Sequence, residues 1–470
     1  MSLPALPAEI FDALPAMVQA YIRVLEARVA QLESRLTDLE ARLNQNSSNS
    51  SQPPSSDGPH VKPAPPRKGT GKARGGQPGH PKHTRPELPP DTVLELRAET
   101  CDRCAHPVTG TDPEPLRQQV LELPPVRPQV TEYRRHRLTC PRCGRVTCPP
   151  LPPGVRGGYG PRVQAACAVL TGAYRLGKRG VARVMGDLFG VPISPAAVCT
   201  LQHRTAGALE PIATAVHAHL AGKPANVDET GWREGRNRAW LWTAVADRVT
   251  GFVIRRSRAR KVLGALIPGN PGVLTTDRYS AYDHLKPDRR QVCWAHLRRD
   301  FQAMIDRGND GTPIGTALLA SADALLGGWG RVRDGTLSRA RFVSHHLGGI
   351  RAAVHAQLGR GRTGACGTTA GVCRELLRLG GALYTFARVS GVEPTNNAAE
   401  RALRHAVCWR KTSYGTDSEK GSRFVERVLT VVASCQQQGR NLLTFLTDAI
   451  QAARNGTPAP SLLPTPIANP

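Results

Sequence analysis

Apolar residues recur along the first fifty positions at alternating steps of four and three, at Val18, Ile22, Leu25, Val29, Leu32, Leu36, Leu39 and Leu43. That is a heptad seam, with Ile22, Val29, Leu36 and Leu43 at one core position and Val18, Leu25, Leu32 and Leu39 at the other. Glu26, Arg28, Glu33, Arg35, Glu40 and Arg42 carry charge outside the seam. The pattern predicts a coiled coil over residues 1–46 and a homo-oligomer joined through it. An amphipathic helix packed on its own domain would show the same short seam.

The periodicity then stops. "NQNSSNSSQPPSSDGP" holds residues that cannot build a core, and "KPAPPRKGTGKARGGQPGHPKHTRP" spreads Lys and Arg among Gly and Pro. Residues 47–93 therefore read as a disordered basic linker, either a simple tether or an arm that follows phosphates. Helical periodicity returns over 153–222. There "KRGVARVMGDLFG" and "SPAAVCTLQHRTAGAL" are joined by a short turn. Gly190 is placed as a helix stop, Ser194 as an N-cap and Pro195 as the first helical residue. Helix–turn–helix is how DNA-reading units are built, and ordinary bundles too. His217 and His219 are two apart on a helix and diverge, so they make a poor metal pair.

From Lys223 the pattern alternates as strands do. "PANVDETGW", "RAWLWTAVA" and "GFVIRRS" predict three strands, with "DRVT" as a hairpin turn between the last two. "RARKVLGALI" is helical, "GVLTTD" is a strand ending at Asp277, and "RQVCWAH" predicts one more strand after an intervening helix. Three hairpin-joined strands, then helix, strand, helix and strand, is the order of a ribonuclease-H-like fold. That fold carries one carboxylate on its first strand and another just past its fourth, the places of Asp228 and Asp277. Residues 223–415 are assigned to this domain, with a helical insertion over about 302–392. "RFVERVLTVVASCQQQGRNLLTFLTDAI" predicts one amphipathic helix in a C-terminal segment, 416–470.

Charge narrows the partner. Lys plus Arg number 63 against 37 acids, a net +26 that predicts attraction to a polyanion, with DNA as the leading candidate. No apolar run reaches the roughly 20 residues of a membrane span, and the N-terminus lacks a basic leader region. A cytoplasmic protein is expected. Twelve Cys in so long a chain suit a reduced compartment. Two pairs stand out, "CDRC" with Cys101 and Cys104, and "CPRC" with Cys140 and Cys143. Four thiolates from two such knuckles suit one structural zinc in a zinc-ribbon-like domain at 94–152. "PVRPQVTEYRRHRLTC" predicts a strand into the second knuckle. His106, His136 and Cys148 are spare ligand types there.

Two Asp residues at strand ends suit a pair of hard divalent cations about 3.5–4 Å apart, which activate water and stabilise a departing phosphodiester oxygen. Strand-end Asp residues also merely close turns. Glu229 adjoins Asp228, but neighbouring strand residues face opposite ways, so Asp228 is taken as the ligand. Further on, Asn397 and Glu400 have the spacing of an N-cap with its reciprocal N3 Glu. From spacing alone Glu400 is either a cap or a carboxylate placed for chemistry.

Together, "NVDETGW", "TTDRYSAYDHL", "CWAHLRRDF" and "EPTNNAAERALR" resemble the insertion-sequence-66 family of bacterial DDE transposases. "NSSNSSQPPSSD", "GGQPGHPKH" and the Cys pairs resemble that family's N-terminal half, so the likeness runs to about residue 450. It implies a catalytic triad of Asp228, Asp277 and Glu400 holding two magnesium or manganese ions. The implied reaction is hydrolysis at the ends of a mobile element, then attack of the freed 3′-hydroxyl on target DNA. Such elements often encode small accessory proteins, which become possible partners. Arg298 and Arg299 (beside His296), Asn396, Asn397, Arg401, Arg404, Arg410 and Lys411 are the candidate DNA contacts. Three positions depart from the family's usual pattern: Arg278 and Thr395, where Gly and Asp are common, and Ala105–His106, where a Gly often follows the Cys pair. The competing functions are a non-catalytic zinc-containing DNA-binding regulator and a nuclease of the same fold without strand transfer.

Overall fold

In the computed structural model the described residues are 8–46, 49–52, 57, 85–269 and 271–464. The described residues open with a five-residue helix α1 (Ala8–Asp12) and a long α2 (Ala16–Leu43). Good helix formers sustain α2, and it ends where Asn and Ser begin to compete for backbone hydrogen bonds. Its seam residues Leu25, Val29, Leu32, Leu36, Leu39 and Leu43 are all exposed. Most of the basic linker, including the arm before Arg85, lies outside the described residues.

The strand expected from "PVRPQVTEYRRHRLTC" forms only at its end. β1 (Leu138–Thr139) pairs antiparallel with β2 (Val146–Thr147). Pro125 and Pro128 cannot donate to a ladder, and the exposed Val126 and Val130 have no sheet to pack on.

Next come α3 (Pro161–Gly172), α4 (Lys178–Phe189) and α5 (Pro195–Leu220), sharing a small core of Cys167, Val181, Met185, Val191, Val198 and Leu201. α4 stops where Gly190 turns left-handed at φ 62°, and Ser194 Oγ accepts the Ala197 N–H at 3.2 Å to start α5. A helix–turn–helix results, as those residue types predict. Its second helix does not stop at a domain boundary, however. Leu209, Ile212, Val216 and Leu220 of α5 enter the main core against the sheet.

That sheet is built from β3 (Ala225–Glu234), β4 (Asn237–Ala246), β5 (Val249–Arg255), then, after α6 (Lys261–Leu266), β6 (Leu274–Thr276) and β7 (Arg290–Val292). Its order is β5-β4-β3-β6-β7, antiparallel from β5 to β3 and parallel from β3 to β7. Two 3-10 turns, Ser280–Tyr282 and Pro287–Arg289, replace the helix expected between β6 and β7. "RQVCWAH" divides, its first three residues forming β7 and Trp294 opening α7 (Trp294–Asp306).

The helical insertion follows as α8 (Thr312–Arg333), α9 (Arg339–Arg341), α10 (Leu347–Gly361), α11 (Gly367–Leu379) and α12 (Thr385–Arg388). It has its own core, in which Trp329 meets the edges of Phe386 and Phe342 at centroid distances of 4.9 and 5.8 Å. α13 (Asn397–Ser413) then returns the chain to β3. The single C-terminal helix expected after 416 is two, α14 (Glu419–Gln438) and α15 (Leu442–Asn455). Gly439, left-handed at φ 65°, makes the break, and Asn441 caps the second helix. No helix among the described residues is long and apolar enough to cross a membrane.

α14 belongs with the five-stranded sheet because it closes the open edge of β5. Ser434 Oγ, Thr430 Oγ1 and Glu426 Oε2 accept the N–H groups of Thr250, Phe252 and Ile254 at 3.0, 3.1 and 2.9 Å. The match is geometric: four helical residues rise about 6.0 Å and two strand residues about 6.6 Å. Thr430→Val keeps the shape and leaves the buried Phe252 N–H unpaired. Chemical denaturation should show a loss of about 1–3 kcal/mol, and no loss would mean the edge is satisfied in another way.

Candidate active site

Parallel pairing of β3 with β6 sets the site. Ala225 aligns with Leu274 and Asn226 with Thr275, so the same register carried two residues on brings Asp228 beside Asp277. Asp277 lies just past β6, where its Oδ1 accepts the Tyr279 N–H at 2.9 Å. Its loop is pinned from β7 by Arg290, which is 1% exposed. That guanidinium donates to the Asp277 carbonyl at 2.9 Å, the Thr276 hydroxyl at 3.1 Å and the Tyr282 carbonyl at 3.2 Å.

Glu400 arrives on the first turn of α13. The preceding segment is fastened by the Trp294 N–H to the Pro394 carbonyl at 2.9 Å and the Asn396 N–H to Cys293 Sγ at 3.3 Å. Asn396 is fully buried and its Nδ2 reaches the Val227 carbonyl at 3.5 Å, which sets the helix start beside Asp228. Asn396 is therefore an internal strut and not a DNA contact. It also occupies the cap position expected of Asn397, and no side-chain cap bond forms. Glu400 is no capping residue. Its Oε1 instead lies 3.5 Å from His296 Nε2 and 3.4 Å from Arg299 Nη2.

Burial, with crowding of like charges behind it, shapes the electrostatics. Burial, then the carboxylates of Glu229, Asp277 and Glu400, pushes the Asp228 carboxyl well above its usual range. Burial also raises Glu229, against the opposing hydrogen bonds from Tyr282 and Arg258. His296 is lowered by burial and by the Arg299 charge, which favours the neutral imidazole. Its Nδ1 and the Asn396 Oδ1 are buried without a hydrogen-bond partner. A donor set of carboxylate oxygens with uncompensated negative charge suits a hard divalent cation. The side chains do not close into a ready cage, since among the described residues no three His, Cys, Asp or Glu groups lie close enough to hold a metal ion.

Other predicted contacts separate. Arg410 Nη1 bonds to the Thr230 hydroxyl at 3.2 Å and to the Gly231 carbonyl, so it braces α13 on β3. Arg298 pairs with Asp323 of α8 at 2.6 Å. Asn397 is half-buried, while Arg401, Arg404 and Lys411 are exposed along α13. The unusual Arg278 is an internal clamp, held by Asp300 of α7 at 2.8 Å and by Glu375 of α11. Arg258, Tyr282 and Arg290 were not singled out by sequence reasoning. The only local signal was the pair of Tyr residues three apart after Asp277.

The two Cys knuckles share one turn. Cys101 N–H bonds to the His106 carbonyl and Cys140 N–H to the Arg145 carbonyl, both at 2.9 Å, and the fifth residue of each is left-handed, Ala105 at φ 57° and Gly144 at φ 72°. Backbone N–H groups lower both leading thiols, from Arg103 and then Cys104 on Cys101, and from Cys143 and then Arg142 on Cys140. Each knuckle is thus prepared for a thiolate, the form that binds zinc. The four thiols are not gathered on one centre in this structure.

Comparison with known proteins covers most of the chain. A family model described as the transposase IS66 family matches residues 156–423, and one described as the zinc-finger binding domain of transposase IS66 matches 98–144. A family of unknown function matches 6–86. The uncharacterized protein y4qI of Sinorhizobium fredii is 27% identical over 248 residues. That match takes in 47% of this chain and 45% of the other protein, so it spans about half that relative's length. The zinc-finger match encloses both knuckles and supports zinc there. Ala105→Gly removes a left-handed Cβ cost of about 1–2 kcal/mol, partly offset by the entropy of glycine. A net gain of about 1 kcal/mol is expected, read as roughly fivefold slower zinc loss to a competing chelator. Unchanged or faster loss would contradict the turn geometry.

Proposed function

The chain belongs to the IS66 family of transposases, and on that premise we propose that it is a DNA transposase that binds the ends of its own insertion element, cleaves there and joins the 3′ ends to target DNA. The observation that supports the reading is that Asp277, at the end of β6, and Glu400, on the first turn of α13, both bear electrostatically on Asp228 of β3. Antiparallel β5-β4-β3 followed by parallel β6 and β7 supports a ribonuclease-H-like catalytic domain.

Asp228, Asp277 and Glu400 are the residues that hold two magnesium or manganese ions. Bound there, such a pair supplies Lewis-acid stabilisation of the phosphodiester and a water acidic enough to attack it. The chain's own part is alignment. Tyr279 N–H and Arg290 fix Asp277, Asn396 fixes the start of α13, and Arg299 with His296 holds Glu400 Oε1. Arg404 and Lys411 lie seven residues apart on one exposed stripe of α13, with Arg401 beside them, and take backbone phosphates. Cys101, Cys104, Cys140 and Cys143 hold one zinc that orders the N-terminal module. The exposed seam of α2 supports pairing with a second copy as a coiled coil.

The test is cleavage and plasmid joining of DNA that carries the element's ends, with magnesium. Asp228→Asn and Glu400→Gln should reduce both products to background. Because Glu400 makes no cap bond, Glu400→Gln should cost well under the ~1 kcal/mol of a lost cap. Equal cleavage by wild type and Asp228→Asn overturns the triad, and cleavage without joined product favours a nuclease.

A further inference from the structure

Glu229 is the one carboxylate of the cluster that the proposed reaction leaves unused, and it has the most elaborate surroundings. Its side chain is 1% exposed. Arg258, from the connection between β5 and α6, donates through Nε at 3.0 Å and Nη2 at 2.8 Å, both to Oε1. Tyr282 OH donates to Oε2 at 2.6 Å. Both carboxylate oxygens are thus engaged by short charge-assisted bonds.

The partners lead to the other carboxylates. Arg258 lies 3.8 Å over the ring of Tyr279, whose N–H holds Asp277 Oδ1 at 2.9 Å. Tyr282 closes the same loop and rests against Trp242 of β4 at 6.1 Å. Glu229's own N–H donates to Asp228 Oδ1 at 2.9 Å. One residue therefore orients Asp228 through its backbone and Asp277 through its side chain. Resting on the reading of Asp228, Asp277 and Glu400 as the metal-holding triad, we propose that Glu229 is a positioning residue. With Arg258 and Tyr282 it sets the separation of Asp228 and Asp277, and it binds no metal itself. Partners behind metal ligands typically contribute 10–100-fold to metal affinity or activity.

The full-length chain is titrated with Mn²⁺, free ion being counted by its electron paramagnetic resonance signal. Melting in EDTA and Mn²⁺-dependent cleavage of end DNA are measured in parallel. Tyr282→Phe and Arg258→Lys supply no new metal ligand, yet both should weaken Mn²⁺ binding about 10–100-fold and raise the Mn²⁺ needed for cleavage to match. Melting in EDTA should stay near wild type for at least one of them. Glu229→Gln keeps an acceptor and should fall between wild type and Glu229→Ala. The proposal is overturned if both partner variants bind Mn²⁺ as wild type does, or if they lower only the melting temperature. It is equally overturned if Glu229→Gln loses Mn²⁺ as fully as Asp228→Asn while Tyr282→Phe keeps it, which would make Glu229 a ligand. The control separates the two failures: wild-type Mn²⁺ binding and cleavage in Asp228→Asn removes the triad itself, whereas loss in that variant with no effect at Tyr282 removes only the role of Glu229.

Discussion

Mutual repulsion among Asp228, Glu229, Asp277 and Glu400 is the term that the surrounding fold has to overcome. Two unit charges 4 Å apart interact by about 4 kcal/mol at an effective dielectric near 20, so gathering several carboxylates is costly unless each is matched. The chain matches only some of them. Glu229 has Arg258, and Glu400 has Arg299. Among the described residues no Lys or Arg forms an ion pair with Asp228 or Asp277. The cations nearest Asp277 are spent elsewhere, with Arg290 on Asp283 and backbone carbonyls and Arg278 on Asp300 and Glu375. The two Asp residues at the ends of adjacent parallel strands are left without an ion-pair partner, the place where the proposed divalent ions would bind.

Holding charges in that arrangement requires rigid supports on every side. Strand pairing fixes β3 against β6, and α14 closes the far edge of the sheet with side-chain acceptors, so β5 presents no open ladder on that side. The helical insertion is attached close to the site. Arg278, one residue after Asp277, spans to α7 and α11, which couples the insertion's core to the Asp277 loop.

Local signals made much of this legible. Gly190, Ser194 and Pro195 act through their own backbone preferences, and the alternation around Asp228 matches β3, where Ala225, Val227 and Glu229 are buried, whereas β6 before Asp277 is buried throughout. The heptad spacing predicts a helix, and α2 forms where expected. What was not legible depends on partners distant in sequence. Arg258 and Tyr282 lie 29 and 53 residues from Glu229, and Val227 lies 169 residues from Asn396. Read alone, Asn396 and Arg410 look like polar groups free to meet DNA, and only the packing of α13 on β3 shows them occupied. The strand expected before Cys140 is cut short for the same reason in reverse. Its residues alternate suitably, but only Leu138 and Thr139 meet a neighbouring strand.

Glu400 joins these levels. Spacing made it a plausible partner of an N-cap, yet the cap position is filled by Asn396, whose side chain faces β3. A carboxylate that bonded back to its own helix start would be turned away from Asp228. Releasing it from that duty costs little, because an acidic residue in the first turn is still favoured by the positive end of the helix dipole. The same partial charge, beside Val227, lowers the cost of bringing a third carboxylate to the strand ends. The helix thus stabilises Glu400 through its dipole while Arg299 and His296 set its direction, and the side chain remains available to the site.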